Sequence, residues 1–197
     1  MSRGLFVAFE GGEESGKSTQ AERLARRIDA VLTREPGGTP LGERVRALLL
    51  DPSSVVDARA EALLMAAARA QHVAAVIEPA LAGGRHVVTD RFTASSLAYQ
   101  GFGRGLPMQD VAALSTFATA GLRPDVTVLL DVDPSVAAAR RSRERDRMEA
   151  AGDAFHERVR DGFLSLVDRT WIVVDGSLPP DEVEATVWSR LAGIIAG

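Results

Sequence analysis

The chain has 197 residues, of which 46% are apolar and 25% are charged, and its formal net charge is −4. These proportions are typical of a globular protein, and the negative balance argues against a basic surface for nucleic acid. The absence of cysteine excludes disulfides, thiolate metal ligands and thiolate catalysis. His72, His86 and His156 are far apart and lack metal-ligand spacing, so we expect them on the surface or in packing contacts.

Short apolar runs, the pattern of buried parallel strands, occur at five places. They are Leu5–Phe9, Ala30–Thr33, Arg85–Thr89, Val126–Val132 and Trp171–Val174. Helical periodicity fills the intervals, over Lys17–Asp29, Pro40–Leu50, Ala58–Leu81, Met108–Ala120, Pro134–Arg143, Phe155–Val167 and Asp181–Ala196. This alternation predicts an α/β fold with a parallel sheet covered on both faces. No apolar run approaches the ~20 residues of a membrane span, so we expect a single cytoplasmic domain over residues 1–197.

The segment after the first strand fits the phosphate-binding pattern G-x-x-x-x-G-K-[ST], with the sequence Gly11-Gly12-Glu13-Glu14-Ser15-Gly16-Lys17-Ser18. The glycines let backbone N–H groups surround a polyphosphate, and the helix that continues through Thr19 adds its N-terminal dipole. Lys17 can reach the outer phosphates, and the Ser18 hydroxyl can bind Mg²⁺. Lys17 is the only lysine in the sequence, which favours a dedicated site for a compact ammonium. Without a nucleotide we expect its side chain to be semi-exposed.

Further polar clusters follow the later strands, at Arg34–Thr39, Asp90-Arg91 and Asp175-Gly176-Ser177. Because the carboxyl ends of parallel strands share one edge of a sheet, these clusters should join the phosphate loop there. On local grounds the first cluster is a strand-to-helix connection with Pro40 at the helix start.

Asp90-Arg91 has two interpretations. Asp90 suits outer-sphere binding of Mg²⁺ and Arg91 suits bidentate binding of phosphate, whereas the alternative is a surface Asp–Arg pair. Ser95, Ser96 and Tyr99 follow at spacings that share one helix face.

Five arginines lie among the eight residues 140–147. Such a run is either a solvated helix end or a mobile lid that brings positive charge to a transferring phosphoryl group. We favour the lid, because the phosphate loop has no arginine of its own. Arg143 is the first candidate for the catalytic arginine, followed by Arg140 and Arg145, and Arg147 should pair locally with Asp146 or Glu149.

Taken together, these segments resemble thymidylate kinase, a family of P-loop enzymes that phosphorylate dTMP with ATP. The resemblance covers almost the whole chain. It rests on Phe9-Glu10-Gly11 with the phosphate loop, Thr33–Thr39, Ala67–His72, Asp90-Arg91-Phe92 with Ser95-Ser96 and Ala98–Gly101, and Asp146–Glu149. It implies a three-layer P-loop kinase fold, with a five-stranded parallel sheet, helices on both faces and a short arginine-rich lid at about residues 140–152. It also implies ATP and Mg²⁺ as cofactors, and a homodimer formed through the long helix that contains Arg69.

The family implies roles for matching residues. Glu13 resembles the loop carboxylate near the acceptor sugar and the metal, and Arg91 resembles the arginine that holds the dTMP phosphate. Arg69 and Ser96 resemble the groups that read the thymine edge, and Tyr99 resembles the tyrosine against the 2′ position of the sugar. The remaining residues implied at the substrate are Pro36, Ser95 and Gln100, and Ser177 belongs to the loop beside adenine.

Two residues depart from the family pattern. Met65 stands where the family commonly has a phenylalanine that stacks on thymine, and a thioether lacks the flat face of a ring. Glu14 stands where the loop often carries glycine or a catalytic arginine, although a carboxylate near a triphosphate is electrostatically unfavourable unless it meets solvent or a lid arginine.

The expected reaction is the transfer of the γ-phosphoryl group of ATP to dTMP, giving ADP and dTDP for dTTP synthesis. A related kinase for another nucleotide or a deoxynucleoside is the alternative, and a nucleoside acceptor would need a carboxylate base at its 5′-hydroxyl. A GTPase-type switch usually carries Asn-Lys-x-Asp, but the sequence has no asparagine and its one lysine lies in the phosphate loop.

Overall fold

The computed structural model describes residues 3–140 and 146–195. Five strands form one sheet: β1 (Phe6–Gly11), β2 (Val31–Arg34), β3 (Val87–Asp90), β4 (Val126–Asp131) and β5 (Trp171–Asp175). The order is β2-β3-β1-β4-β5, and every neighbouring pair is parallel. The predicted five-stranded parallel sheet is confirmed, with each strand within two residues of its expected bounds.

Helices occupy each of the seven predicted intervals, and an additional helix, Thr93–Ser96, lies between two of them. The helices are α1 (Lys17–Arg27), α2 (Pro40–Leu50), α3 (Ala58–His72), α4 (Glu78–Ala82), α5 (Thr93–Ser96), α6 (Met108–Ala118), α7 (Pro134–Arg140), α8 (Asp153–Leu166) and α9 (Pro180–Ile195). A π-helical segment, Val73–Ile77, joins α3 to α4, and a second one, Leu97–Gly103, extends α5. Pro40 begins α2 as expected, and the Thr39 hydroxyl caps this helix by accepting a hydrogen bond from the Gly42 N–H at 3.0 Å.

Helices cover both faces of the sheet, and β1 at its centre is therefore buried along its whole length. Successive side chains of a strand point to opposite faces. Val7 and Phe9 therefore pack in one apolar cluster with α1 and α9, while Phe6 and Ala8 pack in another with the segment from Val73 to Leu81. These two clusters place the sheet in the middle of three layers, as predicted.

One long helical stretch, Ala58–Ala82, is long and apolar enough to cross a membrane by length and composition, although Arg59, Glu61, Arg69 and Glu78 interrupt its apolar sequence. Only 44% of its most apolar window is buried inside the protein, but the helix also carries the buried side chains of Glu61, Arg69 and His72. A core helix passes the same test of length and composition.

All five strands end at the same edge of the sheet, at Gly11, Arg34, Asp90, Asp131 and Asp175. The polar clusters that follow the strands therefore meet at this edge, as parallel topology requires.

Candidate active site

The phosphate loop connects β1 to α1 and depends on glycine at its first position. Gly11 has a φ of 145°, and a Cβ there would lie 2.5 Å from the Leu130 carbonyl oxygen. Gly16 caps α1 in the left-handed region, with a φ of 88°. Every loop residue from Glu13 to Thr19 lines a cleft, together with Arg34, Glu35, Arg46, Asp90 and Arg91.

Lys17 is buried rather than semi-exposed, because its side chain folds back onto the loop. Only 6% of the residue is accessible. Its Nζ donates hydrogen bonds to the Gly12 carbonyl and, at 3.2 Å, to the Ser15 hydroxyl. Burial lowers the pKa of Lys17, and the positive charge of Arg91 lowers it further, so that the pKa falls to about 8 even though three carboxylates oppose the shift.

Ser18 and Asp90 form a pair of oxygen donors beside Lys17. The Ser18 hydroxyl donates to Asp90 Oδ2, and Asp90 Oδ1 is buried with no hydrogen-bond partner among residues 3–140 and 146–195. Mg²⁺ in nucleotide sites uses one or two carboxylates completed by water and phosphate. The pair fits that chemistry, although the described residues contain no group of three or more His, Cys, Asp or Glu suited to a metal.

Arg91 lies just beyond β3 with a positive φ of 74° and bonds to groups on three elements. Its Nη1 donates to the Gly11 carbonyl at 2.9 Å, and its Nη2 donates to Glu13 Oε1 at 2.7 Å and to the Tyr99 hydroxyl at 3.1 Å. The Tyr99 hydroxyl in turn donates to Glu13 Oε1 at 2.6 Å. The alternative of a surface Asp90–Arg91 pair is wrong, because the carboxylate partner of Arg91 is Glu13.

The charges in this cluster are fixed by its contacts. Burial raises the pKa of Glu13, but Arg91, Lys17 and the Tyr99 hydroxyl outweigh burial, and the pKa is about 2. Burial, aided by the Glu13 charge, raises the pKa of Tyr99 well above its usual value. Glu13 is therefore ionised and Tyr99 neutral near pH 7, which leaves Glu13 a weak base.

A second cavity adjoins the phosphate loop, and all nine residues that the sequence indicated at the substrate lie in its wall. These are Glu13, Pro36, Met65, Arg69, Arg91, Ser95, Ser96, Tyr99 and Gln100. We call it the acceptor cavity. It shares Glu13, Glu35, Arg46 and Arg91 with the phosphate-loop cleft. The sequence analysis assigned no role at the substrate to the other wall residues, which are Glu35, Arg46, Leu50, Asp146 and Met148, although Glu35, Asp146 and Met148 lie in segments that it singled out.

The hydrogen-bond partners of Arg69 lie far from it in the sequence. Its Nε donates to Glu35 Oε2 at 2.7 Å, and its Nη2 donates to the Phe92 carbonyl at 3.0 Å. Glu35 Oε1 bonds His72 Nδ1 at 3.0 Å, and His72 Nε2 bonds the Thr33 hydroxyl at 2.6 Å. The Thr33–Thr39 segment is thus more than a connection, because it fixes the orientation of Arg69.

Ser95 lines the acceptor cavity, but its hydroxyl is used inside the protein. It donates to Glu10 Oε2 at 2.6 Å and accepts from Arg91 Nη1 at 3.1 Å. Glu10 Oε1 accepts from the N–H groups of Phe92 and Ser95, at 2.9 and 3.2 Å. The fully buried Glu10 therefore braces the turn that carries Arg91, a role that no local pattern in the sequence indicated.

Of the five arginines in the run 140–147, only Arg140 and Arg147 lie within the described residues. Arg140 donates to the carbonyls of Gly176 at 2.8 Å and Ser177 at 2.9 Å, and it lies 3.5 Å from the Glu14 carbonyl. It thereby ties α7 to the Ser177 loop and to the phosphate loop. Arg143 and Arg145 fall in 141–145, outside the described residues.

The expectation of a local partner for Arg147 was wrong. Its Nη2 donates to Glu61 Oε2 and its Nε donates to the Leu49 carbonyl, both at 2.7 Å. Asp146 instead accepts from the backbone N–H groups of Met148 and Glu149, both at 2.9 Å. Arg147 therefore ties this turn to the buried carboxylate of α3 and to the end of α2, rather than to its neighbours in the sequence.

Comparisons with known proteins agree on one family. The family model described as "Thymidylate kinase" matches residues 9–187. Thymidylate kinase of Deinococcus radiodurans is 46% identical over 202 residues, which cover 98% of each chain. That of Chromobacterium violaceum is 52% identical over 205 residues, 99% of this chain and 97% of the relative. The crystal structure of thymidylate kinase from Ehrlichia chaffeensis superposes with a TM-score of 0.79 at 32% identity, covering 96% of this chain and 99% of that one.

Proposed function

The chain belongs to the thymidylate kinase family, and we propose that it transfers the γ-phosphoryl group of ATP to dTMP, giving ADP and dTDP. The observation that carries this proposal is the position of the Glu13–Arg91–Tyr99 cluster. Glu13 and Arg91 belong both to the phosphate-loop cleft and to the acceptor cavity. A phosphate bound by Arg91 would therefore stand where a γ-phosphoryl group can reach it.

In the transfer, an oxygen of the dTMP phosphate bonds to the γ-phosphorus, while the bond from that phosphorus to the β–γ bridging oxygen breaks and ADP leaves. The acceptor oxygen is already anionic, so the enzyme supplies positioning and positive charge rather than a strong base. Arg91 orients the acceptor phosphate, and Lys17 exchanges its loop contacts for phosphate oxygens. Ser18 and Asp90 would hold Mg²⁺, which supplies charge stabilisation at the β- and γ-phosphates when bound.

The base and sugar of dTMP would occupy the rest of the acceptor cavity. Arg69 and Ser96 face the base edge, Met65 lies against the base, and Tyr99 leaves no room for a 2′-hydroxyl. Gln100 supports this assignment, because its Oε1 is buried and has no partner among the described residues. An orphaned buried acceptor is costly unless a ligand donates to it.

A nucleoside acceptor fits less well. Activation of a neutral 5′-hydroxyl requires a carboxylate that can take up a proton. The pKa of Glu13 is only about 2, and Arg91 and the Tyr99 hydroxyl already donate hydrogen bonds to it. Arg91 would also have no anion to bind.

We further propose a cytoplasmic homodimer with no nucleic-acid partner. Two exposed apolar side chains support the dimer: Leu63 of α3 is 58% accessible and Phe117 of the adjacent α6 is 87% accessible. Burial of such groups against a second copy is favourable. The net charge of −4 argues against nucleic acid.

A coupled ADP-release assay tests the reaction. The acceptors compared are dTMP, dUMP, dCMP, dGMP, ribosyl-TMP and thymidine, each with ATP and Mg²⁺. We expect the highest kcat/KM with dTMP and a large loss with ribosyl-TMP. A maximum at thymidine would overturn the monophosphate assignment, and a maximum at dGMP or dCMP would overturn the choice of base.

A further inference from the structure

Glu61 of α3 is fully buried and lies behind the wall of the acceptor cavity. Its Oε1 accepts from Gln100 Nε2 at 2.9 Å. Its Oε2 accepts from Arg147 Nη2 at 2.7 Å and from Arg104 Nη2 at 3.2 Å. Burial raises the pKa of Glu61, but these three donors outweigh burial and lower it overall, so the group is a carboxylate at neutral pH.

A carboxylate can only accept hydrogen bonds, whereas a glutamine side chain donates from one end and accepts at the other. Glu61 therefore fixes which end of the Gln100 amide faces it. The Nε2 group points to Glu61, and Oε1 is the end of the amide left for a ligand, in a residue that lines the acceptor cavity. Gln100 is 1% accessible, and no described residue donates a hydrogen bond to that oxygen.

The two arginines keep Glu61 in this position. Arg104 follows the π-helical segment Leu97–Gly103, and Arg147 lies in the turn before α8. Both bind Oε2, and only the weaker contact from Arg104 Nε, at 3.3 Å, also reaches Oε1. Oε1 thus remains directed at Gln100.

An acceptor oxygen in the cavity distinguishes pyrimidines by the hydrogen at N3. Thymine and uracil carry an N3–H donor, whereas cytosine carries a lone pair at N3. We propose that Glu61 is a positioning residue that holds the Gln100 oxygen toward the base and thereby selects pyrimidines that have an N3–H. This inference rests on the proposed function, in that the base of dTMP lies against Gln100.

The test is Glu61→Gln in the full chain. The new amide keeps its oxygen toward the two arginines and turns its NH₂ toward Gln100, which then reverses and presents its own NH₂ to the cavity. The probes are dTMP and 5-methyl-dCMP, which differ only along the N3–C4 edge. We expect the ratio of their kcat/KM values to fall by about 10- to 100-fold, mainly through KM, with the KM for ATP unchanged. Arg69 still faces C4, so dTMP stays preferred.

Arg104→Gln is the matched control, because it removes the more distant of the two charges, while Arg147 still holds Glu61 Oε2 at 2.7 Å and keeps the Glu61–Gln100 contact in place. It should change the melting temperature but not the substrate ratio. In a Gln100→Met background, Glu61→Gln should have no further effect on the ratio.

A folded Glu61→Gln variant with the wild-type ratio would overturn the proposal. If that variant does not fold, Gln100→Met decides alone, since an unchanged ratio there would show that the amide does not discriminate. Failure of the proposed function is read separately, from the wild-type enzyme, as a preference for an acceptor other than dTMP.

Discussion

The acceptor cavity and the phosphate loop differ in the partners of their charged groups. In the cavity, Glu13, Arg91 and Tyr99 bond to one another in an arrangement that leaves the wall of the cavity ready for a ligand. In the loop, Lys17 bonds the carbonyl of Gly12 and Ser18 bonds Asp90. These are contacts that phosphate oxygens and Mg²⁺ would replace. Under the proposed function, the acceptor side is preorganised, whereas the donor side would exchange its partners when ATP binds.

The largest effect is expected at the centre of the donor side. Lys17→Met should lower kcat by roughly 10³-fold or more, because it removes the positive charge that follows the moving phosphoryl group. The fold should survive, since the protein disfavours the charged form of this buried lysine and lowers its pKa to about 8. We expect a melting temperature equal to or above that of the wild type.

Lys17→Arg serves as the control, because it keeps the charge but cannot fit the compact loop contacts. It should also be slow, with its fold retained. Near-normal kcat in a well-folded Lys17→Met protein would show that the loop is not the catalytic site.

The second-largest effect is expected in the arginine-rich run, where Arg143 and Arg140 should affect different kinetic constants. Arg143→Ala should lower kcat by roughly 10²-fold with little change in the KM for dTMP, the pattern of a contact made mainly in the transition state. Arg140→Ala should instead raise the KM for ATP, because Arg140 holds the carbonyls of Gly176 and Ser177. Steady-state kinetics with each nucleotide varied in turn distinguish the two results.

The lid hypothesis fails if single alanines at Arg140, Arg143 and Arg145 all leave kcat within about twofold of the wild type. The run would then be a solvated helix end.

The sequence predicted the strands and the position of the site, but not which distant residues bind one another inside it. Apolar runs fixed the five strands, and parallel topology then brought the polar clusters to one edge, where nine indicated residues surround one cavity. Sequence patterns report neighbours a few positions apart. They gave no sign that Glu61 meets Gln100, 39 positions away, or Arg147, 86 positions away.

The sequence also did not predict which charged side chains are buried. The sequence predicts a semi-exposed Lys17 in the absence of a nucleotide. The side chain is buried instead, because the Gly12 carbonyl and the Ser15 hydroxyl accept its hydrogen bonds.

The structural roles of Glu10 and Glu35 were also not predicted. Their donors include Phe92, 82 positions from Glu10, and Arg69, 34 positions from Glu35, so these contacts become visible only in three dimensions.

The smallest effect is expected in the acceptor cavity, where preorganisation leaves less to gain. Met65 lines the cavity and also packs against the cluster of Val45, Leu49 and Ala68. Met65→Phe should tighten dTMP binding by about 0.5–1.5 kcal/mol, because a ring offers the base a flat face for stacking. The KM for ATP should not change. Isothermal titration with dTMP measures the difference directly.

Leu64→Phe is the matched control for Met65→Phe, because Leu64 packs against the same apolar cluster but is not among the described residues that line the cavity. Both variants add a ring beside that cluster, and overpacking a core commonly destabilises it by about 1–3 kcal/mol. A loss of melting temperature shared by both variants therefore reports packing alone. Tighter dTMP binding that occurs only in Met65→Phe assigns this position to the base. If Met65→Phe loses stability and leaves dTMP binding unchanged, Met65 is a core residue, and the thymine ring must lie against another part of the wall.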